Sequence, residues 1–107
     1  MSKICKFFST KNKAIIALGS NMGNRFKNLS TAADLLRRVN KIVKTSQIYE
    51  NPSYDNNQIL LKENMFFNAA VQIETELNCE ELLQYCKAIE RVILELHLGL
   101  RKRKENE

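Results

Sequence analysis

The most chemically suggestive stretch of this sequence is Gly19-Ser20-Asn21-Met22-Gly23-Asn24, set between an apolar run and an amphipathic pattern. Two glycines just ahead of a helix N-terminus invite a phosphate-cradle reading, because free backbone N–H groups there favour anions. The spacing does not fit a Walker loop, and no Lys-Ser/Thr pair follows. A tight strand-to-helix turn, which needs glycine for its backbone alone, is the plainer account. Cations gather near both ends, Lys3, Lys6, Lys11 and Lys13 at one and Arg101, Lys102, Arg103 and Lys104 at the other. With 17 basic residues against 12 acidic ones the formal net charge is +5. Such clusters suit an anionic partner, whether nucleotide phosphate, RNA or a membrane surface; simple solubility is the competing reading.

Thiol and metal chemistry find less support. Cys5, Cys79 and Cys86 make an odd count without a close pair, which describes no disulfide scaffold. Two helical turns separate Cys79 from Cys86, too far for a bridge along one helix. They read as reduced thiols of an intracellular protein. His97 is the only histidine and has no partner ligand at zinc spacing.

These side chains need elements to hold them. Ala14-Ile15-Ile16-Ala17-Leu18 is an apolar run ending at the Gly19-Ser20-Asn21 turn, and reads as a buried strand. Asn24 is a helix N-cap, and Phe26, Leu29, Ala33, Leu36 and Val39 recur at helical spacing over about residues 25–40. Residues 42–50 form a second strand near an edge. Val43, Thr45, Gln47 and Tyr49 share one face; Ile42, Lys44, Ser46, Ile48 and Glu50 share the other. Asn51-Pro52 ends it and opens a long loop to residue 64, a length often tied to function. Residues 65–75 are a third strand, with Phe67, Ala69, Val71 and Ile73 on one face and Phe66, Asn68, Ala70, Gln72 and Glu74 on the other. Asn78 with Glu81 makes a capping box for a helix over 79 to about 97, its stripe being Leu82, Cys86, Ile89, Ile93, Leu96 and Leu100.

The expected fold is therefore α+β, a ferredoxin-like β-α-β-β-α sandwich that lacks the last strand of the β-α-β-β-α-β unit. Without that strand the sheet keeps an exposed edge or an unfilled slot. The chain is long enough for one small domain, placed at residues 13–107 behind a basic leader at 1–12. That leader, MSKICKFFSTKN, has serine and no acid. It resembles a short mitochondrial targeting segment but lacks arginine. The expected compartment is thus intracellular, cytoplasmic or mitochondrial. No apolar run approaches the ~18 residues of a membrane span.

Three segments in order carry a resemblance: AIIALGSNMGNRFKNLSTAADLL at 14–36, TSQIYENPSYDNNQ at 45–58 and FFNAAVQIETELNCEELLQYCKAIE at 66–90. Together they resemble the 6-hydroxymethyl-7,8-dihydropterin pyrophosphokinases of folate biosynthesis. The resemblance implies transfer of diphosphate from ATP to a reduced pterin, with two magnesium ions. It implies ATP and 6-hydroxymethyl-7,8-dihydropterin as partners, and fused or adjacent folate-pathway enzymes as neighbours.

Carried onto this sequence, the resemblance assigns the pterin to Gly19, Ser20, Asn21, Asn51, Pro52, Tyr54, Phe66 and Asn68. Asn68 offers a donor and an acceptor to match the edge of a flat heterocycle, and Phe66 a face for it to stack on. On residues alone, Asn68 could equally satisfy nearby backbone and Phe66 could be core. Asn51 stands where the family has Thr, and Tyr54 where a smaller apolar residue is common. ATP falls to Lys87, Glu90, Arg101 and Arg103, since phosphoryl-type transfer depends on positioning and charge. Here the chain departs from the family: VILELH precedes Leu98-Gly99, and Leu100 stands where Arg is expected.

The family then continues into an Asp-x-Asp segment that binds both magnesium ions. That segment is not among these 107 residues, so no catalytic or metal residue is assigned and this chain is expected to be inactive alone. A degenerate, non-catalytic pterin- or partner-binding domain is the alternative. A third reading is a generic ferredoxin-like module binding RNA through its basic ends. The lack of exposed aromatics interleaved on the sheet argues against nucleic acid.

Overall fold

A computed structural model describes residues 12–52 and 65–105, with side chains described as far as residue 99. The element order is β1 (Asn12–Ser20), α1 (Arg25–Arg37), β2 (Lys41–Thr45), β3 (Tyr49–Asn51), β4 (Phe66–Thr75) and α2 (Cys79–Glu105). The strands form one antiparallel sheet in which β4 is the hub. β1 lies along one side of it, and β2 and β3 share the other. This is the expected α+β arrangement, consistent with an incomplete ferredoxin-like domain. The outer edge of β1 pairs with no described strand.

Both helices pack on one face of the sheet. Leu29, Ala32 and Leu36 of α1 and Ile89 of α2 are buried against Val71 and Ile73 of β4. Leu36 and Ile73 are the largest fully buried side chains, each worth about 1.5–3 kcal/mol of hydrophobic stabilisation. The hydroxyl of Tyr85 on α2 donates to the Leu35 carbonyl of α1, tying the helices together. The caps form as their residue types require. Asn24 Oδ1 accepts from Lys27 N at 3.0 Å. Asn78 and Glu81 exchange reciprocal bonds of 2.9 and 3.0 Å.

The structure departs from the sequence reading in four places. First, β1 is not buried on both faces. It alternates, and Ile15 is 73% exposed on the face away from the helices. Second, the α1 stripe is Leu29-Ala32-Leu36, while Phe26 and Val39 are exposed. The helix stops at Arg37, so Val39 lies beyond it.

Third, the strand expected over 42–50 is two strands. The pairing of β2 with β4 shifts register between Ile42 and Lys44, so Ile42 lies opposite buried Ile73 and Lys44 opposite Gln72. These neighbours in β4 face opposite ways, so Ile42 and Lys44 do not share a face. Ser46 then takes over ladder bonds: its Oγ accepts from Ala70 N and its N–H donates to Ala70 O, both at 2.8 Å. Pairing resumes only at β3.

Fourth, α2 runs on to Glu105 rather than ending near 97. Leu, Glu, Lys and Arg are strong helix formers, no proline intervenes, and an interior Gly99 costs only about 1 kcal/mol. Basic residues in its last turns also complement the helix dipole. Residues 1–11, which hold nearly all of the proposed leader, lie outside the described residues. Asn12 already belongs to β1, opposite Thr75.

Candidate functional site

The sheet face away from the helices carries the candidate pterin residues at one end. The β1–β4 register sets Gly19 opposite Asn68, and the β3–β4 register sets Asn51 opposite Phe66 and Tyr49 opposite Asn68. Strand periodicity then turns Gly19, Tyr49, Asn51, Phe66 and Asn68 to the same side. Asn68 Nδ2 donates to Asn51 Oδ1 at 3.1 Å. A methyl group on Gly19 would stand 2.9 Å from Asn68 Oδ1 and 3.7 Å from the Phe66 ring. Glycine is therefore needed here for close approach, not for a left-handed backbone.

The turn after β1 is held from within. Asn28 Nδ2, one turn into α1, donates to Ser20 Oγ at 3.0 Å and to Met22 O at 2.7 Å. Gly23 has φ +61°, a conformation that suits glycine, and a methyl group there would reach His97 Nδ1 at 3.0 Å. α2 thus closes over the turn, with His97 against it.

A largely apolar cavity of about 260 Å³ opens between β1 and the two helices. Gly19, Ser20, Asn21, Phe66 and Glu90 all line it, whereas Asn51, Asn68 and Lys87 do not. Gly19 and Phe66 mark the seam between the cavity and the amide pair. Cys86 also lines the cavity; burial pushes its thiol pKa up, and the neighbouring Glu90 carboxylate adds to that.

The remaining assignments are spread along α2 or lie elsewhere. Lys87 and Glu90 sit mid-helix, and Arg101 and Arg103 fall in the last turns. Along one continuous helix Glu90 and Arg101 are three turns apart, about 16 Å, so α2 alone does not gather them. The side chains of Arg101 and Arg103 lie outside the described ones. Pro52 is half-buried just after β3, and Tyr54 lies outside the described residues. No described helix is long and apolar enough to cross a membrane.

Sequence reasoning missed Arg25. Its Nη1 donates to Met65 O at 2.7 Å, its Nη2 lies 3.0 Å from Glu50 Oε2, and its guanidinium stands 3.9 Å from the Phe67 ring centroid. One signal was available: a cation directly after an N-cap, at the positive end of a helix with no acid in its first turn.

Comparison with known proteins bears on what this arrangement serves. The sequence pattern of the family described as 7,8-dihydro-6-hydroxymethylpterin-pyrophosphokinase (HPPK) matches residues 15–105. The chain is 34% identical over 90 residues to the "Folic acid synthesis protein fol1" of Schizosaccharomyces pombe, covering 80% of this chain and 12% of that protein. It is 41% identical over 84 residues to the "Folate synthesis bifunctional protein, mitochondrial" of Arabidopsis thaliana, covering 78% and 14%. To the "2-amino-4-hydroxy-6-hydroxymethyldihydropteridine pyrophosphokinase" of Porphyromonas gingivalis it is 34% identical over 77 residues, covering 71% and 50%. The chain thus spans half of that bacterial relative and a much smaller share of the two longer proteins. With a match running from Ile15 to Glu105, this chain belongs to the 7,8-dihydro-6-hydroxymethylpterin-pyrophosphokinase family.

Proposed function

We propose that this chain supplies the pterin-holding part of a domain that transfers diphosphate from ATP to 6-hydroxymethyl-7,8-dihydropterin. The observation that carries the reading is the Asn51–Asn68 amide pair set against side-chain-free Gly19 and beside Phe66. Two linked amides present donors and acceptors together, which suits the alternating edge of a pterin. The bare backbone of Gly19 lets a flat ring approach, and Phe66 offers a face to stack on. Glu90 at the cavity, Lys87 three residues before it and Arg101 and Arg103 further along α2 are the residues proposed to meet the nucleotide.

Magnesium would supply charge neutralisation on the phosphates. Among the described residues no three His, Cys, Asp or Glu side chains come together to hold a metal ion. The described residues therefore do not fit the magnesium pair, and no step is routed through it. A second reading is a degenerate, non-catalytic pterin- or partner-binding domain. The relatives' printed names support two further proposals: association with another folate-pathway enzyme, and an intracellular setting, cytoplasmic or mitochondrial.

A fluorescence titration with 6-hydroxymethyl-7,8-dihydropterin tests the binding claim. Wild type should bind, and Asn68→Ala should lose about tenfold or more, roughly the effect of one buried hydrogen-bonding group. Equal affinity in the two removes Asn68 from the site. Incubation of this chain with ATP, magnesium and the pterin should give no turnover; measurable product would refute the inactivity of the 107-residue chain.

A further inference from the structure

We propose that Arg25 is a positioning residue for the pterin face, acting through the sheet from the opposite side. The inference rests on the pterin reading above. Three contacts converge on one guanidinium: the Met65 carbonyl just before β4, the Glu50 carboxylate in the middle of β3 and the Phe67 ring near the start of β4. Each of these groups is an immediate neighbour of a candidate pterin residue. Met65 and Phe67 flank Phe66, Phe67 also precedes Asn68, and Glu50 precedes Asn51. Because strand side chains alternate, Glu50 and Phe67 point to Arg25 while Asn51, Phe66 and Asn68 point to the other face.

β3 needs such a tether. It has three residues, all exposed, and its only described partner strand is β4. A strand that short holds its register weakly. Without a fixed β3, Asn51 cannot keep its 3.1 Å bond to Asn68, and the amide pair loses its shared orientation. The Arg25–Glu50 pair alone is half-exposed, at 27% and 39%, where ion pairs contribute little. Its value lies in being one arm of a three-way grip with a planar, forked donor stacked on an aromatic ring, a geometry lysine cannot reproduce. The placement also accounts for a cation at the unfavourable end of a helix dipole: the side chain turns away from α1 to span β3 and β4.

Pterin titration and amide hydrogen exchange on the full 107-residue chain test this together. Arg25→Ala should weaken 6-hydroxymethyl-7,8-dihydropterin about tenfold, Arg25→Lys should recover only part of that, and Glu50→Ala should weaken it similarly without touching α1. In an Asn51→Ala background, Arg25→Ala should cost less than twofold, because the bond it orients is already gone. Exchange at residues 49–51 should quicken in Arg25→Ala while Val71–Thr75 stay protected. Equal losses in both backgrounds, or unchanged exchange in β3, would overturn the proposal. A wild-type chain that binds no pterin would instead overturn the pterin reading, and the exchange at β3 would then decide the tether on its own.

Discussion

The two ends of β4 differ in burial and in the partner they face across from β1. From Val71 to Thr75 the inward residues Val71, Ile73 and Thr75 are 0–3% exposed, between β1 and β2 and beneath α1. From Phe66 to Ala70 every residue is only half-buried, and the partner across from β1 shrinks to three-residue β3. One continuous strand is thus a structural member at one end and, under the proposed function, a binding edge at the other. The difference teaches where substitutions can be read as stability and where as recognition.

The largest effect that could break this division is at the buried end. Ile73→Ala, which empties a fully buried site, should cost about 2–5 kcal/mol, seen as a lowered urea midpoint; a cost under about 1 kcal/mol would mean the core does not centre on β4. Gly19→Ala should do the reverse. Its new methyl would crowd the end of a flexible side chain, Asn68 Oδ1 at 2.9 Å, and meet the Phe66 ring at an ordinary 3.7 Å, so stability should fall by under about 1 kcal/mol while pterin affinity drops at least tenfold by titration. A large loss of stability with unchanged affinity would reassign Gly19 to the fold. Asn68→Ala should move the unfolding midpoint least of the three, within about 0.5 kcal/mol as for substitutions outside the core.

The smallest effect concerns the cavity between the two helices. Burial, with Glu90 adding to it, raises the Cys86 pKa, so the folded state keeps the thiol proton to higher pH than the unfolded chain does. The stability this contributes is full below the unfolded thiol's pKa, about 8.5, and is lost as pH rises through the folded value. Cys79, exposed at the start of α2, should therefore react with iodoacetamide before Cys86 at pH 8. Faster modification of Cys86 would show that the cavity is open to solvent.

Much of this was legible in the residues. Asn24 and the Asn78–Glu81 pair announce helix starts because their side-chain oxygens accept from the free N–H groups there. The alternation over 65–75 sorted Phe66 and Asn68 from Val71 and Ile73 correctly, since the strand has no bulge to disturb a period of two. The same reasoning failed over 42–50, where a register shift at Ile42/Lys44 and the Ser46 bonds to Ala70 are decided by the partner strand. It failed at both ends of α1: the buried stripe is Leu29-Ala32-Leu36, which leaves Phe26 exposed, and the helix stops at Arg37, before Val39. The proximity of Gly19 to Asn68 depends on pairing across almost fifty residues, which no local pattern encodes. The partners of Arg25 were hidden for a related reason: they lie on β3, β4 and just ahead of β4.

The hub position of β4 has a consequence for biosynthesis. Every other described strand finds its partner in residues 66–75, the last of the described strands in chain order. As the nascent chain leaves the ribosome, β1, α1, β2 and β3 emerge with no sheet to join, and their apolar faces stay with chaperones or solvent. Assembly then waits on one segment and closes loops of several lengths at once, a late and concerted step of the kind that non-local pairing slows.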